Sequence, residues 1–440
     1  MNWIWALAGL LLLGPARLAA QENPATSQPT PRALAQEERS PAPTGSTDRL
    51  TLDELIQEAL ENNPAVQSAA RRVEAFRRRV PQARALPDPK VSVGWMGNLK
   101  PFGVMRQDPS SFRSVTATQE LPFPGKLKLR GQMADREAQA AWWDYEQVRR
   151  RVVAQVKVAY YDYFYYQKAI EITRKNQNLL ESLARIAEVR YQVGEGIQQD
   201  VLRAQVELSR IRQRLTLLEQ QRDIARARIN SLLNRAPEAP LPAPAPFEAA
   251  ELGYELEALY QLARENDPGL QREDRLIERS QVAVNLARRE YYPDLRVGYM
   301  YQNRPTLREM HGFTFTMNIP VFYRSKQQEG VREATQELLA ARRSRENRET
   351  TLYFEVKEQY LAVRAAEELA RLYSRAVVPQ SALALDSAMA AYQVGQLDFL
   401  TVLDSYILVL DYEISYYREL TNFQIALARL EPLVGVELTK

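Results

Sequence analysis

Cysteine is absent from this chain, and histidine occurs once, as His311. The first absence excludes disulfides, thiolate metal sites, a cysteine nucleophile and a lipid-modified N-terminal cysteine. The second leaves no histidine cluster for a metal, and a Ser-His-Asp triad would have to use His311 itself. We therefore expect no catalytic constellation, no metal site and no cofactor. Long apolar runs are also missing. After the first residues no stretch reaches the roughly 20 apolar residues that a membrane helix needs. A membrane crossing would have to be made by a β-barrel. Charge of one sign is lacking as well, with a net +3 over 440 residues. No basic patch is interleaved with aromatics, so no nucleic-acid partner is expected.

The N-terminus is apolar over residues 4–13, followed by Gly14-Pro15 and by Ala19-Ala20. This predicts a signal peptide over 1–20 with cleavage near Ala20, the alternative being a short buried helix. Residues 21–48 are rich in Pro, Ser, Thr and Gln and read as a disordered leader.

What organises the rest is a repeat. Tyr-Gln-Val-Gly occurs at Tyr191–Gly194 and again at Tyr392–Gly395, nearly half the chain apart. Val201-Leu202 and Val402-Leu403 follow at equal spacing. Further upstream, Ala59-Leu-Glu-Asn-Asn-Pro64 matches Ala263-Arg-Glu-Asn-Asp-Pro268. Such self-similarity marks an internal duplication. The first repeat is expected over 49–235, a Pro/Ala linker over 236–247, and the second repeat over 248–440.

Each repeat opens with a short helix. Thr51 to Glu54 has the form of a capping box, with Leu50 and Leu55 as its hydrophobic staple. Asn63-Pro64 then restarts a helix with proline in its first position. Pro87-Asp88 and Pro293-Asp294 lead into alternating residues. Leu295, Val297, Tyr299 and Tyr301 share one face, as do Phe313, Phe315, Met317 and Ile319, with Thr314, Thr316 and Asn318 opposite. Val91, Val93 and Trp95 alternate likewise, and Val115, Ala117 and Gln119 do so more weakly. That period of two predicts two strands per repeat, apolar on one face and small and polar on the other. His311 is expected in the loop between the last two strands. Four strands cannot close a transmembrane barrel, for which about eight is the minimum. Three copies would bring 12.

After Pro122 and Pro320 come the long helices, Lys126 to Val193 and Arg324 to Val394. Each would extend on the order of 100 Å at about 1.5 Å per residue. Positions 152, 156, 159, 163, 166, 170, 173, 177, 180, 184, 187 and 191 make a heptad seam. In the last helix Leu403, Ile407, Leu410, Ile414 and Tyr417 make one seam, and Val402, Tyr406, Val409, Tyr416, Leu420, Phe423, Leu427 and Leu430 a second. Two seams mean two neighbours, as in a closed wall of helices. Gly194 and Gly395 read as left-handed helix stops. The aromatic run Tyr160 to Tyr166 fits wall packing better than a ligand box. Lys126, Lys128 and Arg130 read as solvated or snorkelling cations.

Together these parts resemble the TolC-type outer-membrane efflux channel family over about residues 50–435. The resemblance implies a mainly α fold with a small β part. A homotrimer would form a 12-strand transmembrane β-barrel that continues into a 12-helix periplasmic α-barrel. It implies a passive, non-enzymatic outer-membrane duct whose partners are a periplasmic adaptor, an inner-membrane pump and outer-membrane lipid. The tip would close like an iris. Tyr392 would latch to Asp200 of the neighbouring helix pair, and Asp404, with Thr401 beside it, would line the constriction. Gly194, Gly395, Val193 and Val394 would form the turns that dock the adaptor. Read from the residues alone, Asp404 is equally a solvated heptad flank, and Asp200 and Asp398 are equally helix caps. Two positions depart from the family pattern: Thr401 stands where a second lumen carboxylate is common, and Leu397 where an arginine lock is. Glu120 to Lys126 (Glu-Leu-Pro-Phe-Pro-Gly-Lys) looks similar to ducts that serve heavy-metal pumps. A drug pump, a type I protein secretion system, and a periplasmic coiled-coil scaffold without channel activity are the alternatives.

Overall fold

The computed structural model describes residues 50–97, 100–106, 108–247, 252–305 and 307–439. The signal-peptide and leader expectations, at 1–20 and 21–48, lie outside the described residues. Two helices open the first repeat, α1 (Leu52–Asn62) and α2 (Pro64–Arg84). Strands β1 (Lys90–Met96) and β2 (Phe112–Leu121) follow, then the long helix α3 (Lys126–Gln192) and its return α4 (Gln198–Leu232). The second repeat has the same order: α5 (Leu256–Asn266), α6 (Pro268–Arg289), β3 (Leu295–Asn303) and β4 (Met310–Met317). Its long element is α7 (Gln327–Leu372), a π-turn (Tyr373–Val377) and α8 (Val378–Gln393), and its return is α9 (Phe399–Val434).

The break in the second long helix was not expected. Its cause is Pro379, at the start of α8. Proline brings no N–H and crowds the carbonyl four residues back. A π-turn placed just before it loosens the helix at that point.

The kink between the short helices is built alike in both repeats. The Asn63 side chain accepts from the Ala65 amide at 2.9 Å, and the Asp267 side chain accepts from the Leu270 amide at 2.8 Å. Each is followed by a proline in the first turn. The capping box at Thr51 does not form: Thr51 holds the cap position without a side-chain bond. The backbone beside it is instead tied to the 236–247 segment, with Leu50 N donating to Ala243 O at 3.0 Å and Ala245 N donating to Leu50 O at 3.1 Å. Leu50 and Leu55 do share one buried cluster.

The helices make a wall of four columns. α3 packs on α2 and α4 along one flank and on α6 and α9 along the other, and α7 packs on α6 and α9. The start of α2 meets the end of α4, where Asn63 Nδ2 donates to Leu232 O at 2.8 Å. The seam positions Val152, Val156, Ala159, Tyr163, Ile170, Leu180 and Ala187 are buried. So are Val402, Tyr406, Val409, Phe423, Leu427 and Leu430 of α9. The aromatic run on α3 is packing, since Tyr161 and Phe164 both hold Phe247 of the 236–247 segment, at ring distances of 5.0 and 4.6 Å.

The four strands form one antiparallel sheet in the order β1-β2-β3-β4. The register sets Val93 opposite Val115, Val115 opposite Tyr301, and Tyr299 opposite Phe313. One face is therefore aliphatic and aromatic, and the other carries Ser92, Ser114, Thr116, Thr314 and Thr316. Phe313 and Phe315 on the apolar face are 70% and 71% exposed. His311 lies in β4 rather than in a loop, opposite Tyr301, with Nδ1 2.7 Å from the Tyr299 hydroxyl. Ile319 falls beyond the end of β4, because Pro320 cannot continue the ladder.

Lys126 also departs from expectation. It is 1% exposed rather than solvated. Its ammonium meets Glu290 at 3.0 Å, Asp294 at 2.9 Å and the Tyr292 carbonyl at 2.9 Å. It ties the start of α3 to the turn that leads from α6 into β3. Burial alone would raise the Asp294 carboxyl. The Phe123 amide, donating at 2.7 Å, and the Lys126 ammonium together hold it below its ordinary value. The folded carboxyl is more acidic than the unfolded one, so its stabilisation is complete above about pH 4 and is lost as pH falls through the folded value. Thermal denaturation followed from pH 6 to pH 2 should show a share of the acid-induced loss that Asp294→Asn lacks. Superimposable acid profiles would remove this junction from the acid response.

Candidate functional site at the helical tip

The two Tyr-Gln-Val-Gly segments end α3 and α8. Gly194 has φ +79° and Gly395 φ +76°, in the left-handed region. The chain reverses through matching bonds: Glu195 N donates to Arg190 O at 2.9 Å, and Gln396 N donates to Ala391 O at 2.9 Å. A Cβ at either glycine would meet nothing within 4 Å, so backbone conformation rather than space demands glycine there. Val193 and Val394, beside them, are 65% and 69% exposed. Both turns thus present bare valine.

The tyrosines of the two copies differ. Tyr191 is 46% exposed, whereas Tyr392 is 6% exposed. The Tyr392 ring is held edge-on by Phe399 at 5.9 Å and carries the Arg190 guanidinium 4.6 Å from its centre. Arg190 belongs to α3, so this contact joins the two hairpins of one chain. The only trace of Arg190 and Phe399 in the sequence is their place beside the tetrapeptides, a signal too common to pick them out. Leu397, where an arginine lock is common, packs against the same core.

Asp398 is the N-cap residue of α9, but its carboxylate does not cap the backbone. It accepts instead from the Thr401 hydroxyl. Asp200 lies in the first turn of α4, whose N-cap is Ile197, so it is not a cap either. Burial and the facing Asp398 carboxylate push the Asp200 carboxyl above its ordinary value, with Arg203 opposing them. Asp200, Asp398 and Thr401 are thus brought into one group. Among the described residues no hydrogen bond joins Tyr392 to Asp200 within the chain. Asp404 stands one turn beyond Thr401, and both are exposed.

A duplicated helix–hairpin unit, an exposed apolar sheet and a long helical wall ending in paired turns define the subunit of a membrane-anchored conduit. The profile of the outer membrane efflux protein family matches residues 55–235 and 259–436. The chain belongs to that family and is an outer-membrane efflux channel. It is 23% identical over 401 residues to the cobalt-zinc-cadmium resistance protein CzcC of Cupriavidus metallidurans, covering 89% of this chain and 92% of that protein. Its fold is similar to that of the Campylobacter jejuni CmeC outer membrane channel, with TM-score 0.75, 13% identity and coverage of 94% and 95%. It is likewise similar to the Neisseria gonorrhoeae MtrE outer membrane channel in its open state, with TM-score 0.74, 18% identity and coverage of 88% and 89%.

Gly194→Ala or Gly395→Ala should cost about 1 kcal/mol of backbone strain without a clash. The amides of Glu195 or Gln396 should then exchange roughly fivefold faster, with helix interiors unchanged. Unaltered exchange at the turn would mean that its conformation does not depend on glycine.

Proposed function

We propose that this channel is the outer-membrane duct of a tripartite efflux system. It works as a homotrimer that is passive in itself and is gated at its periplasmic tip. One observation carries this reading: the sheet has one apolar face largely exposed and one face rich in Ser and Thr, at the end of a wall whose outer columns are also unfinished. Leu202, Val206, Leu217 and Ile224 line the free flank of α4, and Phe354, Leu361 and Leu372 that of α7, all exposed. These are heptad-spaced seams without a partner in the chain. Each such side chain left in water forgoes about 1.5–3 kcal/mol. Three copies pair the seams, close the wall and bring the strands to 12. The apolar sheet face then meets lipid, and the polar face meets water.

At the tip, Asp404 and Thr401 line the constriction, and Tyr392 and Asp200 latch neighbouring helix pairs. The turns at Val193-Gly194 and Val394-Gly395 dock a periplasmic adaptor that joins the duct to an inner-membrane pump. The adaptor opens the tip by contacts better made in the open form. The likeness to CzcC, with the Glu120 to Lys126 segment, favours a pump for heavy-metal cations. A drug pump and a type I secretion system are the other candidates.

Single-channel recording of the purified protein in a planar bilayer tests the duct. A small steady conductance is expected, rising when Tyr392→Phe is combined with Asp200→Ala. Asp404→Asn should lower cation preference, and unchanged selectivity would remove Asp404 from the gate. Absent conductance with a soluble elongated particle would return the scaffold reading. For assembly, Leu217→Asp with Ile224→Asp should shift the detergent-solubilised protein from trimer to monomer by light scattering. A trimer that persists would place the subunit interface elsewhere.

A further inference from the structure

The wall has a covered face and a bare face. α1 and the 236–247 segment pack on Val152, Val156, Tyr160 and Tyr163 of α3, and α5 packs on Leu352 and Val356 of α7. A cleft of about 420 Å³ is lined on α3 by Gln147, Arg151, Ala154 and Val158, which lie on the helix face away from Val152, Val156 and Tyr163. It lies where α9 ends and α6 begins, between Arg151 and Val158 of α3 and Glu355 and Gln359 of α7. In a closed tube the covered face is the outer one, since α1 and α5 inside would fill the bore. The cleft therefore faces the lumen.

Its lining carries an excess of positive charge. Arg150, Arg151, Arg228, Arg348 and Arg429 line it, against Asp267, Glu355 and Glu358. Arg348 uses two of these carboxylates. It holds Asp267 with two bonds, at 2.7 and 3.1 Å, and Glu355 at 3.1 Å. Arg150 donates to the Asn266 carbonyl at 2.9 Å. Arg151, Arg228 and Arg429 come from three different helices, are exposed, and make no ion pair among the described residues. Below the cleft, Asp162 is the carboxylate that Arg228 and Arg429 face, and Arg418 shares it at 4.0 Å.

We propose that this cleft is an anion-binding station on the inner wall of the duct, one per subunit, for solutes bearing phosphate or carboxylate groups. The inference rests on the trimeric duct reading, because that reading makes the bare face the lumen. Guanidinium groups suit such oxyanions by shape as well as charge, offering paired N–H donors that match two oxygens. Three of them lie on the cleft without a direct ion pair, outnumbering the one lining carboxylate, Glu358, that Arg348 does not hold, and that surplus leaves a field that an anion fills. A cleft of this volume also exceeds an inorganic ion and lies in the range of small organic ligands. Cargo leaving the pump would thus pass an acidic ring at the tip and then a basic band at mid-height.

The test uses the full trimer in a planar bilayer, with inorganic pyrophosphate as the probe. In the wild type, pyrophosphate should block chloride current. Arg151→Gln, Arg228→Gln and Arg429→Gln together should weaken that block roughly tenfold, about 1.4 kcal/mol, and shift permeability toward potassium. These side chains are exposed, so the trimer should survive the change. Glu358→Gln, which removes an acid from the same cleft, should move permeability the other way. Unchanged block and unchanged permeability in both variants would overturn the proposal. If the wild type conducts no current, the duct reading fails first. Calorimetric titration of pyrophosphate into the detergent-solubilised protein then decides the cleft separately, and absence of heat there overturns the site.

Discussion

A helix about 100 Å long cannot bury itself in a globule, because no single core is that long. It must find an apolar neighbour along each flank, and everything else in this chain follows from that demand. α3 meets it with α2 and α4 on one side and α6 and α9 on the other. α7 finds neighbours on one flank only, as does the α2/α4 column. The subunit is therefore a strip of wall with two unfinished edges rather than a closed domain. Its sheet repeats the condition, with four strands and a bare apolar face. Both deficits are of one kind, an apolar edge or face that finds no neighbour within the chain.

A wall made of stacked pieces is weakest at its joints, and buried charge is concentrated there. Lys157 of α3 is 2% exposed and meets Glu431 at 2.7 Å and the Thr439 hydroxyl at 2.7 Å. The other oxygen of Glu431 accepts from the Leu438 and Thr439 amides. This fastens the C-terminal tail across α3 and α9. Lys126 does the same between α3 and the turn before β3, and Asp267 with Arg348 between α6 and α7. Such pairs add little net stability, but removal of one partner costs about 3–5 kcal/mol, so they hold geometry strongly. The helical seams supply adhesion, and the buried pairs set how the pieces are aligned.

The duplication, the strands and the heptad seams were legible because each is a periodicity, and periodicity survives in one dimension. The same holds for Gly194 and Gly395, whose left-handed backbone is a local property. What escaped was set by contacts distant in sequence. Lys126 reads as a surface cation until Glu290 and Asp294 are folded against it. His311 reads as a loop residue because the strand it extends takes its register from Tyr301. The Thr51 capping box does not form, while the backbone of Leu50 beside it pairs with the distant 236–247 segment. Pro379 was visible, but its cost was absorbed by a π-turn that leaves no pattern in the heptads. At the tip, Arg190 over Tyr392 joins residues from opposite repeats, and no spacing rule would pair them.

The two tips began as copies, and the difference between them is informative. In the first repeat the tetrapeptide tyrosine, Tyr191, stands in solvent. In the second, Tyr392 is folded under Arg190 and against Phe399. A cation over an aromatic face in a partly desolvated place is worth about 1–2 kcal/mol. That contact crosses from the first hairpin to the second within one chain, so it resists their separation. The group of Asp200 and Asp398 acts in the opposite sense, since two facing carboxylates repel across the same boundary. The tip therefore holds an attraction and a repulsion between the same two hairpins. Arg190 over Tyr392 thus ties together the two turns that carry the exposed Val193 and Val394.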